Sequence, residues 1–406
     1  MSTAAMDVPG AALTTTSSTL VSRLPVHDRT ARLQAYDLRF GSPGDAPDVI
    51  TAALLDTFSR FSADDLFGDR AGYVNLTRPF LSGQLPLPVA AGVASVRIGS
   101  DVRVDDELLT GVTRLTGAGY RLSLARDGAA TAGVERLLPL VQALSVQISG
   151  RPWEAVRADA DAGRALGLDL LAEDVTTRAE MERCAAEGFS LFEGPWVERD
   201  RPGDLADLSP GQAVALQLVG MLGDPGVSMD DVEDVVRRSP ELAYRLLKVA
   251  NSASSGARRE VGSLHEAIVM VGVSRLRSWL LLLSMSGSAS AEGAMLDALT
   301  RAATCERLAQ ATGAAGPESA FTIGLLDGVG EALGVEAERL LQHIPALATE
   351  LAETLLGSPG PLRGVLDSVV TYQHGELPSQ VDAGVIVDSY LNSVAWTTHT
   401  AAAIRR

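Results

Sequence analysis

The chain has 406 residues, 46% of them hydrophobic, which is long and apolar enough for two packed cores. Its formal net charge of -17 repels a phosphate backbone, and the arginines are dispersed, so the composition argues against nucleic acid as a partner. Local basic spots at Arg258-Arg259 and at Arg275/Arg277 do not reverse that balance. The two cysteines, Cys184 and Cys305, have no neighbour at metal-ligand spacing and read as buried thiols in a reducing compartment.

Residues 1–20 lack a basic region and a continuous apolar core, so they read as a disordered tail and not as a signal peptide. The longest apolar run, Trp279 to Leu283, falls far short of the roughly 20 residues of a membrane span. A cytoplasmic protein without membrane insertion is expected. Lysine occurs once, at Lys248, so a mechanism that needs a lysine has only that one.

From residue 21 to 203 short β-branched segments alternate with helical ones. SRLPVHDRTARLQAYDLRF reads as a hairpin, and AGYVNLTRPFL, ASVRIGS, YRLSLA, LSVQISG and DLLAEDV read as strands, with helices at 102–116 and 177–187 between them. Strands alternating with helices predict a mostly parallel sheet, and six or more of them predict a barrel. The Pro-, Gly- and Asp-rich segment ERDRPGDLADLSPG then places a boundary near Asp204.

Residues 204–406 read as one all-α domain. Ser209 and Ser239 each precede a proline suited to the first helical position, and Ser263 with Glu266 forms a capping box. Apolar stripes such as Leu242, Leu246, Val249 and Ala250 require these helices to pack on one another. Further helices are predicted at 290–313, 318–333, 335–356, 361–373 and 380–398. Asn251 and Ser252 lie where the chain must turn, and their side chains satisfy local backbone groups or meet a partner. Trp279, beside four leucines, reads as core or domain interface.

The Asn251-Ser252-Ala253 turn, followed by Ser263-Leu264-x-x-Ala267-x-x-x-x-Gly272, resembles the HDOD domain, a helical signalling module related in fold to metal-dependent HD phosphohydrolases. Ser239-Pro240 stands where Asp-Pro is usual, and Ser caps equally well. An HD site needs histidine paired with aspartate to hold a metal. His27-Asp28 falls in the first hairpin, where it suits a turn, and His265, His343 and His374 are far apart with no Asp following. No metal site is expected there.

The N-terminal half resembles the EAL domain, the barrel family that hydrolyses the bacterial second messenger cyclic di-GMP. The resemblance rests on Ala35 to Phe40, Val74-Asn75-Leu76, Gly119 to Leu122, Leu171 to Val175, and Gly188-Phe189 through Glu193-Gly194. Together the halves resemble the YuxH-like EAL plus HDOD architecture, with a degenerate EAL domain. The expected fold class is α/β plus all-α, an EAL-like (β/α) barrel followed by an HDOD helical domain.

That resemblance implies metal-assisted phosphodiester hydrolysis, in which carboxylates and one Asn hold two divalent cations and a lysine assists the water. Asn75 and Glu173 match the family pattern, and Asp37 stands one methylene short of the signature Glu. Arg97 takes a glutamate position, Ala125-Arg126 replaces an Asp-Asp pair, Gln147 and Ser149 replace Lys and Asp, and Thr176 and Glu193 replace Glu and Gln. Arginines at 97 and 126 put repulsive charge into a cation site, so neither metal, cofactor nor catalysis is expected. Asn75 and Glu173 are then either paired within the barrel mouth, with Arg97 or Arg126, or part of a cleft that greets an anion. Gly41 replaces an arginine usual after the first motif.

The function expected from sequence is that of a non-catalytic signalling or scaffold protein acting on other signalling proteins, with a homodimer compatible with the resemblance. The alternatives are a cyclic di-GMP or other nucleotide sensor and a residual phosphodiesterase.

Overall fold

The computed structural model describes residues 19–41, 45–128, 132–196, 228–237, 291–342 and 347–405, with isolated positions 218, 221, 268, 269, 276 and 344. The tail at residues 1–18, the boundary near Asp204, the turn residues Asn251, Ser252 and Ala253, the cap Ser263, and Trp279 all lie outside the described residues.

Eight strands close into a barrel: β1 (Val21–Asp28), β2 (Leu33–Phe40), β3 (Ala71–Leu76), β4 (Ala94–Ile98), β5 (Leu122–Arg126), β6 (Ala143–Gln147), β7 (Asp169–Glu173) and β8 (Leu191–Glu193). From β2 to β8 each strand is parallel to the next, whereas β1 runs antiparallel to both β2 and β8. The reversal follows from the hairpin at Asp28, whose Oδ1 accepts from the Thr30 N–H at 2.8 Å and the Arg32 N–H at 3.1 Å. A short turn joins antiparallel strands, while parallel neighbours need a crossover. The crossovers carry α1 (Pro47–Arg60), α2 (Ala63–Phe67), α3 (Arg78–Ser82), α4 (Asp106–Gly117), α5 (Trp153–Ala165) and α6 (Arg178–Ala186). Side-chain caps start several of them: Ser62 and Asp65 form a capping box, Asp105 accepts from the Leu108 N–H, and Thr177 accepts from the Glu180 N–H.

Strand alternation sorts the barrel into two environments. Val26, Ala35 and Leu171 form a small apolar cluster of their own in the lumen. Tyr36, Leu38, Val74, Val96 and Leu124 belong to the large core outside it. From Ala35 onward, residues at odd positions of β2, and the positions matching them around the barrel, therefore face the lumen.

The helical part contributes α7 (Met229–Arg237), α8 (Ala291–Thr312), α9 (Pro317–Leu333), α10 (Ala337–Leu341), α11 (Thr349–Leu355), α12 (Pro361–Gln373) and α13 (Ala383–Arg405). The single helix predicted over 335–356 is instead divided into α10 and α11, with Pro345 between them; proline lacks the N–H that an uninterrupted helix would use there. Helix α13 continues past its predicted end at 398 to Arg405. α8 and α9 cross closely because α9 carries Gly324 and Gly328 on one face. A Cβ on Gly328 would lie 2.7 Å from Ala298 Cα, and one on Gly324 would lie 2.8 Å from Cys305 Sγ.

The β1–β2 hairpin has no crossover helix to cover its outer face, and the helical part fills that role. The Tyr372 hydroxyl accepts from the Val21 N–H at 3.2 Å and donates to the Val21 carbonyl at 2.8 Å. The Tyr390 hydroxyl accepts from the Arg23 N–H at 3.3 Å. Arg23 lies 4.0 Å over the Tyr36 ring and donates to the Leu66 carbonyl and to Thr398 Oγ1. One apolar core runs through barrel and helices. Cys184 and Cys305 are both buried thiols, as the sequence suggested, and burial pushes Cys184 up to about 12.

Candidate functional site

In a barrel of this kind reactive groups gather at the C-terminal ends of the parallel strands. There β2 supplies Asp37 and Arg39, β4 supplies Arg97, β7 supplies Glu173 and β8 supplies Glu193. Arg97 Nη1 donates to Asp37 Oδ2 at 2.6 Å, and Arg39 Nε donates to the same oxygen at 2.8 Å. Arg39 Nη2 donates to Glu193 Oε2 at 2.6 Å and lies 3.4 Å from Glu173 Oε2. Arg97 Nη2 approaches Glu173 Oε1 to 2.9 Å, an ion pair outside hydrogen-bond geometry. The Arg97 guanidinium also sits 5.6 Å from the Tyr73 ring centroid.

Three carboxylates thus face two guanidinium groups. Burial works against charge on Asp37, but Arg97 and Arg39 outweigh it and hold its pKa below the usual carboxylate range. Burial likewise opposes charge on Arg97, and Asp37 and Glu173 outweigh it, so its pKa is raised. Glu193 is where the surplus negative charge appears. Burial raises it, only Arg39 opposes, Glu173 and Asp37 add repulsion, and its pKa is pushed up to about 7. The backbone fixes this corner tightly: the Val175 N–H donates to the Glu193 carbonyl at 2.9 Å, and a Cβ on Gly194 would lie 2.3 Å from the Val175 carbonyl oxygen.

Of the ten barrel positions singled out from the sequence, Asp37, Arg97, Glu173 and Glu193 converge in this network. Asn75 is paired in register with Arg97, and its buried Oδ1 accepts no hydrogen bond. Ala125 ends the inward face of β5 without a functional group, and Gln147 sits beside Glu173 in register. Ser149 is exposed in the turn after β6, and Thr176 donates through N and Oγ1 to Glu180 at 2.8 and 2.7 Å.

Arg126 corrects the sequence reading that placed it in the cation site. Adjacent strand residues point to opposite faces, so Arg126 leaves the lumen and pairs with Asp159 of α5 at 2.9 Å, where Arg151 also bonds at 2.7 Å. Arg39 is the residue the sequence reading missed. Its spacing of two from Asp37 was the available signal, since it puts both on one face of β2.

Two resident divalent cations do not fit these residues. The Arg97 guanidinium already lies against the Asp37 and Glu173 oxygens that would hold them, and among the described residues no group of three His, Cys, Asp or Glu side chains is placed to hold a metal ion. The histidine reading of the first hairpin stands on geometry: Asp28 closes the turn, and buried His27 lies edge-on to Trp196 with ring centroids 6.3 Å apart. No helix among the described residues is long and apolar enough to cross a membrane.

A closed βα barrel with a reversed first strand, its mouth lined by acidic and arginine side chains, is followed by packed helices, which is the fold class expected from the sequence: an EAL-like barrel and then an HDOD-like helical part. The HDOD domain model matches residues 208–377. Over 398 residues, 93% of this chain and 97% of the relative, the sequence is 25% identical to the uncharacterized protein YuxH of Bacillus subtilis. It is 27% identical over 365 residues to the cyclic di-GMP phosphodiesterase CdgJ of Vibrio cholerae, covering 86% of this chain and 84% of that one. Among solved structures, the EAL domain of Mycobacterium smegmatis DcpA matches with a TM-score of 0.34 and 22% identity, covering 43% of this chain and 87% of that one. An EAL domain protein of Listeria monocytogenes matches with a TM-score of 0.36 and 13% identity, covering 44% and 86%.

These likenesses correct one expectation. The sequence reading that the chain is not an enzyme is overturned by its similarity to CdgJ, which is a phosphodiesterase by name and matches along most of both chains. Departures at motif positions do not establish a loss of activity.

Proposed function

We propose that the chain works in cyclic di-GMP signalling as a protein-binding component, its barrel and helical domain held as one unit that presents surfaces to partner signalling proteins. The observation that carries this reading is the mouth itself. Its two guanidinium groups are paired with its own carboxylates, and Arg97 fills the position between Asp37 and Glu173. Docking of the helices on β1 through Tyr372 and Tyr390 supplies the mechanical link. The test is co-purification of full-length protein from its native host, compared with a Tyr372→Phe/Tyr390→Phe double variant that loosens the docking. A defined partner retained by the wild type and weakened by the variant supports the reading, and a wild type that retains no partner defeats it.

A second reading, cleavage of cyclic di-GMP at the barrel mouth, is favoured by the similarity to CdgJ and by Asn75 and Glu173, which keep the family pattern. It requires Arg97 to leave both carboxylates. Incubation of full-length protein with cyclic di-GMP and Mg²⁺ or Mn²⁺ reads it directly, with the linear dinucleotide as product.

A further inference from the structure

A cavity of about 270 Å³ lies between the barrel and the helical domain, close in size to the smaller ligand pockets of proteins, which start at roughly 300 Å³. Pro25 and Glu193 line it from the barrel, and Asp297, Ala298, Gly328 and Glu331 from helices α8 and α9. Its walls combine small apolar residues with acidic side chains and with two arginines, Arg23 and Arg301. We infer that this cavity is a binding site for a small organic amine, whose ammonium group pairs with the Asp297 carboxylate while its apolar body rests against Ala298 and Gly328.

The polar groups of the cavity decide the sign of the ligand. Arg301 has its donors engaged: Nε with Gln373 Oε1 at 2.7 Å, Nη1 with Asp327 at 2.5 Å and Nη2 with Glu331 at 2.5 Å. Arg23 directs Nη1 to the Leu66 carbonyl and Thr398 Oγ1, at 3.2 and 3.1 Å. Arg23 keeps a buried Nε that no acceptor among the described residues engages, whereas Arg301 is closed to an anion. Asp297 is the opposite case. Its carboxylate has no hydrogen bond or ion pair among the described residues, although Arg23 and Arg301 are near enough to act on it through space. Burial is the larger effect and pushes its pKa up to about 6, so at pH 7.5 an ionised carboxylate stands without a direct partner in a desolvated place. A cationic donor satisfies it. A metal ion does not, since the other carboxylates of the cavity, Glu331 and Glu193, are paired with arginines and do not converge with it.

The site also touches the barrel mouth. Glu193 lines the cavity, and its carboxylate accepts from Arg39 at 2.6 Å, so an occupant there adjoins a member of the mouth network.

The test uses the full chain, calorimetric titration at pH 7.5, and benzylammonium as the probe, with benzyl alcohol as its uncharged counterpart. Expected are saturable binding of benzylammonium to the wild type, none of benzyl alcohol, and at least tenfold weaker binding to Asp297→Asn, which keeps the shape and removes the charge. Ala294→Leu, which narrows the cavity and leaves every charge in place, is expected to weaken binding by a similar factor, with thermal melts confirming that both variants fold. Absence of saturable benzylammonium binding overturns the inference. So does equal binding to wild type and to a folded Asp297→Asn, or equal binding of benzyl alcohol.

Discussion

Arg97 and Asp37, sixty positions apart in sequence, meet across the barrel lumen with Nη1 and Oδ2 2.6 Å apart, both side chains almost wholly shielded from solvent. β2 and β4 are not neighbours in the sheet; β3 lies between them. The pair therefore ties two strands that share no backbone hydrogen bonds.

Removing one side of a buried ion pair costs up to roughly 3–5 kcal/mol; without Arg97, the Asp37, Glu173 and Glu193 carboxylates share Arg39 alone. Arg97→Met is accordingly expected to lower the melting temperature strongly. Adding Asp37→Asn in that background is expected to recover part of the loss, because one of the three carboxylates left to a single guanidinium is gone. Thermal melts of the three proteins check this, and a double variant less stable than Arg97→Met argues against the pairing.

Glu193 makes stability depend on pH in a defined direction. Its folded pKa, about 7, is above its ordinary value of 4.5, so its contribution is fully present below 4.5 and is lost as pH rises through 7. The shift corresponds to about 3 kcal/mol. Asp297, raised to about 6, acts in the same direction over a lower window. Glu193→Gln should flatten the decline in stability between pH 5 and 8, leaving the smaller Asp297 component, as measured by denaturant melts across that range.

Tyr372 carries two hydrogen bonds to Val21 through one hydroxyl. Tyr372→Phe keeps the ring and leaves a buried backbone N–H and carbonyl unsatisfied, which costs about 1–3 kcal/mol. The expected signature is local: faster amide exchange at Val21 and along β1, with the β4 to β6 amides unchanged. Uniform acceleration would place the effect elsewhere.

The thiols give a simple check of packing. Cys184 and Cys305 are both buried, with thiol pKa values raised above the ordinary range, so thiolate is scarce at neutral pH. Native protein is expected to resist iodoacetamide at pH 8 and to take up two equivalents once unfolded, as read by mass spectrometry.

The barrel was legible because its strands announce themselves locally, through β-branched runs, alternation and the Asp28 turn. Helix α7 lies in a stretch read as helical but was given no start of its own, although its cap is a local signal: Ser228 and Asp231 form a reciprocal box like the one read at Ser263 and Glu266. The mouth was legible only in part. Asp37, Arg97, Glu173 and Glu193 follow from motif positions, but the fate of Arg126 depended on which face of β5 it takes, and a shift of one residue reverses that. Its partner Asp159 lies 33 residues away on α5, with no sequence pattern linking the two. The docking of Tyr372 and Tyr390 on β1 was hidden for the same reason. Contacts separated by more than 350 residues are set by how two surfaces meet, and no local pattern encodes them.

The most direct test of the mouth is a Mn²⁺ titration of wild type and Arg97→Glu, followed by calorimetry and by thermal shift. If Arg97 is the tethered cation between Asp37 and Glu173, the variant gains saturable Mn²⁺ binding and Mn²⁺-dependent stabilisation that the wild type lacks. Equal, saturable Mn²⁺ uptake by the wild type would contradict the position assigned to Arg97.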